Sequence, residues 1–66
     1  MRRVVSVAIA GRHFDVIVSQ RDRNVWTALG EFGDREIGTM DRSFDGAVER
    51  WRANATEGAL AQRQAA

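Results

Sequence analysis

Five side chains in this 66-residue chain invite a catalytic interpretation, because together they offer the serine, histidine and aspartate of a hydrolase site. They are His13, Asp15, Ser6, Ser19 and Ser43. A serine hydrolase needs a serine beside a histidine that a carboxylate orients. His13 and Asp15 alternate onto one side of a predicted strand, but Ser43 has the sequence context of a helix cap. The chain also lacks a glycine-framed nucleophile turn. We therefore interpret His13 as a surface residue beside a turn and expect no catalytic site and no enzymatic activity.

The sequence contains no pattern that indicates a metal-binding or nucleotide-binding site. Four carboxylates are close in sequence, namely Glu31, Asp34, Glu36 and Asp41. They surround a predicted turn, and a solvated turn explains them better than a metal site, which needs converging ligands of the right number. Cysteine is absent and histidine occurs once. The glycines match neither the dinucleotide nor the P-loop spacing. The sequence predicts no cofactor, no metal and no small-molecule ligand.

Nucleic-acid binding is the alternative function that the arginines suggest. Arg12, Arg21 and Arg23 fall in predicted turns, and Trp26 and Phe32 would offer stacking surfaces if they faced outward. However, ten basic residues are balanced by nine acidic ones, and the net charge is only +1. Phosphate contacts supply most non-specific affinity for nucleic acids, and a surface this neutral supplies few of them. We keep nucleic-acid binding as the second hypothesis.

The length of the chain predicts a single small domain that needs support. A domain of this size buries only about 60% of the surface of its unfolded chain, so its stability is marginal. The absence of cysteine removes disulfides and thiolate metal sites as supports. Association with a second copy or with a small protein partner is the remaining support. We therefore expect a homodimer.

The N-terminal residues resemble a signal peptide only superficially. Met1-Arg2-Arg3 precedes the apolar run Val4–Ala10, but the segment is shorter than the usual ~15–30 residues. Alternation of side chains within the run favours a strand. The chain also has no apolar run near the ~18 residues that a membrane span requires. We expect a soluble, cytoplasmic protein.

Two β-branched runs, Val4–Ala10 and His13–Ser19, predict a hairpin. Gly11-Arg12 between them suits a two-residue turn with glycine at its first central position. That turn sets three apolar pairs on one face of the hairpin. They are Ile9 with Phe14, Val7 with Val16, and Val5 with Val18. The polar segment 20–24 (Gln-Arg-Asp-Arg-Asn) is predicted to connect this hairpin to the next strand.

A third strand is predicted over Val25–Phe32, followed by a turn at Gly33-Asp34 and a short strand over Arg35–Met40. We expect Trp26, Ala28 and Phe32 to face the helix, although a one-residue change in loop register would reverse the faces. The turn places Glu31 opposite Glu36, a like-charge pair that a longer, bulged loop would relieve.

The helix is predicted over Ser43–Ala55. Ser43 is a good N-cap, and Asp45 complements the helix dipole. One face carries the apolar side chains at helical spacing, namely Phe44, Ala47, Val48, Trp51 and Ala55. Thr56-Glu57-Gly58 is expected to end the helix or cap a further turn. Residues 59–66 are expected to be a tail, either flexible or ordered by a partner.

These elements predict an α+β fold. The fold is a three- or four-stranded antiparallel meander with one C-terminal helix packed across one face (β-β-β-β-α), with residues 1–58 as the domain. The other face then exposes Val4, Ile17, Val25 and Leu29, and such a patch indicates a partner-binding surface. The competing explanation is that the tail covers this patch through Leu60. The sequence therefore favours a non-catalytic protein-interaction or assembly module.

Overall fold

Four strands and one helix make up the computed structural model, which describes residues 2–65 and the side chains of residues 2–58. The elements are β1 (Arg2–Ile9), β2 (Arg12–Asp22), β3 (Val25–Phe32), β4 (Arg35–Asp41) and α1 (Phe44–Ala65). The strands form one antiparallel sheet in the order β1-β2-β3-β4, and α1 packs on one face of it. The predicted α+β meander is confirmed, with four strands. Within residues 2–65, no helix combines the length and the apolar character needed to cross a membrane.

The turn between β1 and β2 lies one residue earlier than predicted. Ala10 and Gly11 occupy its two central positions with φ of 52° and 80°, as a type I′ turn requires. Types I′ and II′ both fit the twist of a hairpin, so the glycine alone does not decide which central position it takes. The predicted pairs are therefore wrong, and the observed pairs are Val5–Val16, Val7–Phe14 and Ile9–Arg12. Each partner shifts by two residues, which keeps every side chain on its predicted face.

β2 extends beyond its predicted end at Ser19 and continues through Asp22. The pairing with β3 shifts between Gln20 and Asp22, so Arg21 is the extra residue of a β-bulge. The Asp22 Oδ1 atom accepts a hydrogen bond from the backbone N–H of Arg23 at 2.7 Å. This contact joins adjacent residues and satisfies the Arg23 N–H at the start of the turn.

The second hairpin follows the sequence-based prediction closely. β3 has its predicted bounds, and Gly33 begins the turn with a φ of 67°. β4 ends at Asp41, one residue later than expected. Glu31 lies directly opposite Glu36, as predicted, and the pairing contains no bulge to relieve it.

The start of α1 is confirmed, and its predicted end is wrong. The Ser43 Oγ atom accepts a hydrogen bond from the Gly46 N–H at 3.0 Å, which is the expected N-cap contact. The helix continues through Gly58 to Ala65 because Gly58 keeps a negative φ and good helix formers follow it. The predictions for the side chains of residues 59–65, the Leu60 contact included, and for Ala66 lie outside the described residues.

The core lies between α1 and one face of the sheet. Its buried residues are Val7, Ile9, Val16, Val18, Ala28, Ala47, Trp51 and Ala55. Trp26 and Phe32 pack against this core from β3, so the predicted helix-facing side of β3 is confirmed. The Trp26 ring stands edge-on to Phe44 with centroids 5.7 Å apart. The helix therefore covers one face of the sheet and leaves the other uncovered.

Candidate interaction surface

The side of the sheet away from α1, here called the open face, carries a row of aliphatic side chains. Val4, Ile17 and Leu29 lie directly across from one another on β1, β2 and β3. Their exposed fractions are 60%, 38% and 43%. We call these three residues the apolar row. Each strand alternates its side chains between two faces, and α1 buries only one of them.

Met40 adds a fourth exposed apolar side chain to this face. It is 60% exposed and lies across from Thr27, one position along from the apolar row. Val25 lies on the same face of β3 and is half-buried. The structure thus brings three of the four predicted partner-binding residues into one row and places Val25 further toward the β2–β3 turn.

A row of carboxylates borders the apolar row on the side of the β1–β2 turn. Glu31 lies opposite Glu36, and Asp15 continues the same alignment on β2 because Val16 pairs with Gly30. All three carboxylates are exposed. We call Asp15, Glu31 and Glu36 the acidic row. These carboxylates and the apolar row line one surface depression.

The opposite border of the apolar row carries arginines. Arg2 lies two residues before Val4 on β1, and its cross-strand partner is Ser19. Arg21, in the bulge of β2, lines the same depression as Arg2, Ile17 and Leu29. We call Arg2 and Arg21 the basic end. Along the strands, the charge of the open face therefore changes from negative at the acidic row to positive at the basic end, and the aliphatic side chains of the apolar row lie between them.

Only some of the candidate catalytic residues lie close together. The Ser6 Oγ and His13 Nδ1 atoms lie 3.2 Å apart, and Asp15 is the cross-strand partner of Ser6. All three side chains are exposed on the open face. In the part of the chain described, no hydrogen bond or ion pair joins His13 to Asp15. A hydrolase triad needs that contact to orient the histidine. Ser43 caps α1, as its sequence context indicated.

Metal ligands also do not converge on the open face. Among the residues that the structure describes, no three His, Cys, Asp or Glu side chains are grouped as a metal ion would require. The acidic row runs across three neighbouring strands of the sheet, with one carboxylate on each strand. Its carboxylates project side by side, whereas a cation site needs oxygens that surround one point.

Arg12 lies far from the other two arginines of the nucleic-acid hypothesis, Arg21 and Arg23. Arg12 begins β2 and Arg21 is near its end, nine residues or about 30 Å away along an extended strand. Trp26 and Phe32 face α1, where Phe32 packs on Phe14 with ring centroids 4.8 Å apart. The structure does not bring these three arginines and two aromatic rings onto one surface.

Sequence reasoning missed two contributors to the open face, Met40 and Arg2. The predicted pairing of Glu31 with Glu36 already implied that Met40 lies opposite Thr27, because an antiparallel ladder fixes all its pairs once one is known. Sequence reasoning also did not recognise that the acidic row and the basic end lie at opposite ends of the open face, although alternation along β1, β2 and β3 places them there in either β1–β2 register.

Comparisons with protein-family models, with curated proteins and with solved structures find no match to this chain.

Proposed function

We propose that this chain is a non-catalytic protein-interaction or assembly module that binds through its open face and forms a homodimer. The observation that carries the proposal is the apolar row, with three aliphatic side chains exposed in line across three strands. Burial of apolar surface stabilises a complex by about 25 cal/mol per Å². A contiguous apolar patch rimmed by polar residues is typical of an interaction site.

The thin core supports the need for a partner. Three of the eight buried residues are alanines, Ala28, Ala47 and Ala55, which contribute little apolar surface. Trp51 is the one large aromatic side chain that is fully buried among the described residues. A small domain with such a core gains stability when a second layer covers its other sheet face.

The size of the open face sets the expected affinity. Four strands about 4.8 Å apart and about 26 Å long give roughly 500 Å² for each copy, or roughly 1,000 Å² for two. Specific, stable interfaces usually bury about 1,200–2,000 Å², so the area of the open face is below that range and is typical of a weak or transient contact. We expect a dimer that dissociates on dilution.

Sedimentation equilibrium of two variants tests the proposal. Ile17→Asp puts a charge into the apolar row, and burying an unpaired charge is strongly unfavourable. The dimer should dissociate, while circular dichroism should show the helix unchanged. Ala53→Asp, on the exposed side of α1, is the matched control and should stay dimeric. If Ile17→Asp associates as tightly as the control, the open face is not the interface.

A further inference from the structure

The outer edge of β1 carries backbone groups that can bind a further strand. We propose that this edge pairs antiparallel with the β1 edge of a second copy, with Val4 opposite the partner's Val4, so that two four-stranded sheets join into one. This contact goes beyond the proposed open-face contact, because it uses a different surface. Its twofold axis is perpendicular to the sheet, so both open faces point the same way and stay accessible.

The backbone groups that point outward follow from the turn between β1 and β2. Ala10 and Gly11 form a two-residue turn, so Ile9 and Arg12 flank it as a pair that exchanges two hydrogen bonds. Such pairs alternate with non-bonded pairs along an antiparallel ladder. The N–H and C=O groups of every second residue of β1 therefore point away from β2. These residues are Arg2, Val4, Ser6 and Ala8.

The edge of β1 is unprotected over residues 2–9, in contrast to the edge of β4. Proteins protect an edge strand with proline, central charges, a bulge or a covering helix. Segment 4–8 (Val-Val-Ser-Val-Ala) is uncharged and pairs with β2 without a bulge. Beside β4, Arg50 and Glu57 of α1 line one depression together with Gly38 and Met40. The edge of β1 is therefore the one that a further strand can reach.

Pairing Val4 with the partner's Val4 continues the apolar row. In each copy, Ile17 and Leu29 follow Val4 across β2 and β3, so three aliphatic side chains from each copy lie in one line. Two open faces side by side present roughly 1,000 Å², twice the area of one copy. A second joined sheet against that surface would bury roughly 2,000 Å², as stable interfaces do.

The same register places opposite charges near each other. An axis perpendicular to the sheet reverses the strand direction, so the basic end of each copy lies beside the acidic row of the other. Arg2 lies opposite the partner's Ser6, and Asp15 is the neighbour of Ser6 on β2. Arg2 and the partner's Asp15 are thus two strands apart, or about 10 Å between Cα atoms, with a small serine between them. The side chains of an arginine and an aspartate can span that distance.

Amide hydrogen exchange measured by NMR tests the contact residue by residue. The outward N–H groups of Val4 and Ser6 donate to the partner, whereas that of Ala8 lies outside the paired segment 2–6. These five residue pairs bury less area than the open face, so we expect a dissociation constant of about 1 mM. Raising the protein concentration from about 0.05 mM to about 5 mM should slow exchange at Val4 and Ser6 about threefold. Ala8, and Gly38 on β4, should keep their exchange rates.

The same measurement on Ile17→Asp separates this contact from the proposed open-face contact. The slowing at Ser6 should persist in this variant, because Ile17 lies on β2 and not at the edge. Sedimentation at micromolar concentration, by contrast, reports the open-face contact alone.

Proline at two positions of the same edge tests the paired segment. Proline is tolerated on an edge strand where the N–H faces solvent, so both variants should fold, as circular dichroism will show. Ser6→Pro removes a donor inside the paired segment and should abolish the slowing at Val4. Ala8→Pro, outside the segment, is the matched control and should retain it. If either variant does not fold, exchange in the unaltered protein and in Ile17→Asp decides alone.

Charge exchange tests the register. Arg2→Glu or Asp15→Arg alone should reduce the slowing at Ser6, because each places like charges side by side. The two substitutions together should restore it. A double variant as weak as the single ones would overturn the register.

The remaining outcomes are equally distinct. Exchange at Val4 and Ser6 that does not depend on concentration would overturn the edge contact, while sedimentation of Ile17→Asp still decides the open-face homodimer. Slowing that disappears in Ile17→Asp would assign the protection to the open face and overturn the inference. Slowing at Ala8 that Ala8→Pro abolishes would place Val4 opposite Ser6 and overturn the register. Slowing at Gly38 in place of Ser6 would move the contact to β4 and overturn the inference as well.

Discussion

The indole Nε1 of Trp51 donates a hydrogen bond to the backbone carbonyl of Ile37 at 3.0 Å. The Trp51 side chain is fully buried, and its ring lies against Gly30 of β3. A second bond, from Thr39 Oγ1 to the Ala47 carbonyl at 2.9 Å, also joins β4 to α1. Two polar contacts and a large aromatic ring thus fix α1 on one face of the sheet and leave the open face uncovered by the helix.

Removing the indole donor should destabilise the fold. Trp51→Phe deletes the bond to Ile37 and leaves a gap beside Gly30, so we expect a loss of about 1–4 kcal/mol in the free energy of unfolding. Urea denaturation followed by circular dichroism measures it. Trp26→Phe is the control, because Trp26 is only half-buried. If both variants lost the same free energy of unfolding, the Trp51 hydrogen bond would contribute no specific stability.

Any side chain at position 30 should push the helix from the sheet. A Cβ atom built on Gly30 lies 3.0 Å from both Trp51 Cζ2 and the Asp15 carbonyl oxygen. Neither neighbour moves easily, so we expect Gly30→Ala to destabilise the fold by about 1–3 kcal/mol. Gly38→Ala, whose Cβ would meet only Leu29 Cδ1 at 3.4 Å, is the matched control. Its unfolding free energy should be unchanged or slightly higher, and the reverse ranking would contradict the packing.

The two glycines of α1 should respond in opposite directions to alanine. A Cβ at Gly46 would overlap the carboxylate of Asp41 and crowd the capping hydroxyl of Ser43. Gly46→Ala should therefore lower the unfolding temperature. A Cβ at Gly58 meets Arg35 at 3.5 Å, an ordinary contact. Gly58→Ala should stabilise the helix by up to about 1 kcal/mol. Stabilisation by both substitutions would show that the first turn of α1 is not crowded.

The β1–β2 turn offers a stabilising substitution. Ala10 has a φ of 52°, a conformation that costs a residue with a Cβ about 1–2 kcal/mol. Glycine adopts it freely, so Ala10→Gly should raise the free energy of unfolding by about 0.5–1 kcal/mol. Ala8→Gly, in the extended part of β1, should lower it by a similar amount. A turn at Gly11-Arg12 would place Ala10 in the extended strand and reverse the sign at position 10.

The sequence predicts the elements of this fold better than their junctions. Period-two alternation and the glycines identified the strands, and the spacing of Phe44, Ala47 and Trp51 identified the buried face of α1. The first turn was misplaced because Gly11 fits either central position of a hairpin turn. The helix end was missed because Gly58 suggests a stop that the following helix formers override.

The candidate interaction surface was predictable only in part, for a geometric reason. Val4, Ile17 and Leu29 follow from alternation alone, whatever the hairpin register. Which of these side chains lie side by side, and which charged residues border them, can be predicted only when the cross-strand partners of β1, β2 and β3 are known. A shift of two residues would move Val4 from Ile17 to Ser19 and break the apolar row.

Dilution of the unaltered protein, followed through its methyl resonances in carbon–proton NMR spectra, tests the central claim most directly. Val4, Ile17 and Leu29 on the open face should shift as the concentration falls from millimolar to low micromolar. Val7, Val16 and Val18, which are at most 1% exposed beneath α1, should stay in place. The open face then changes its surroundings while the core does not. Spectra without any concentration dependence, or shifts confined to the core valines, would contradict a homodimer formed through the open face.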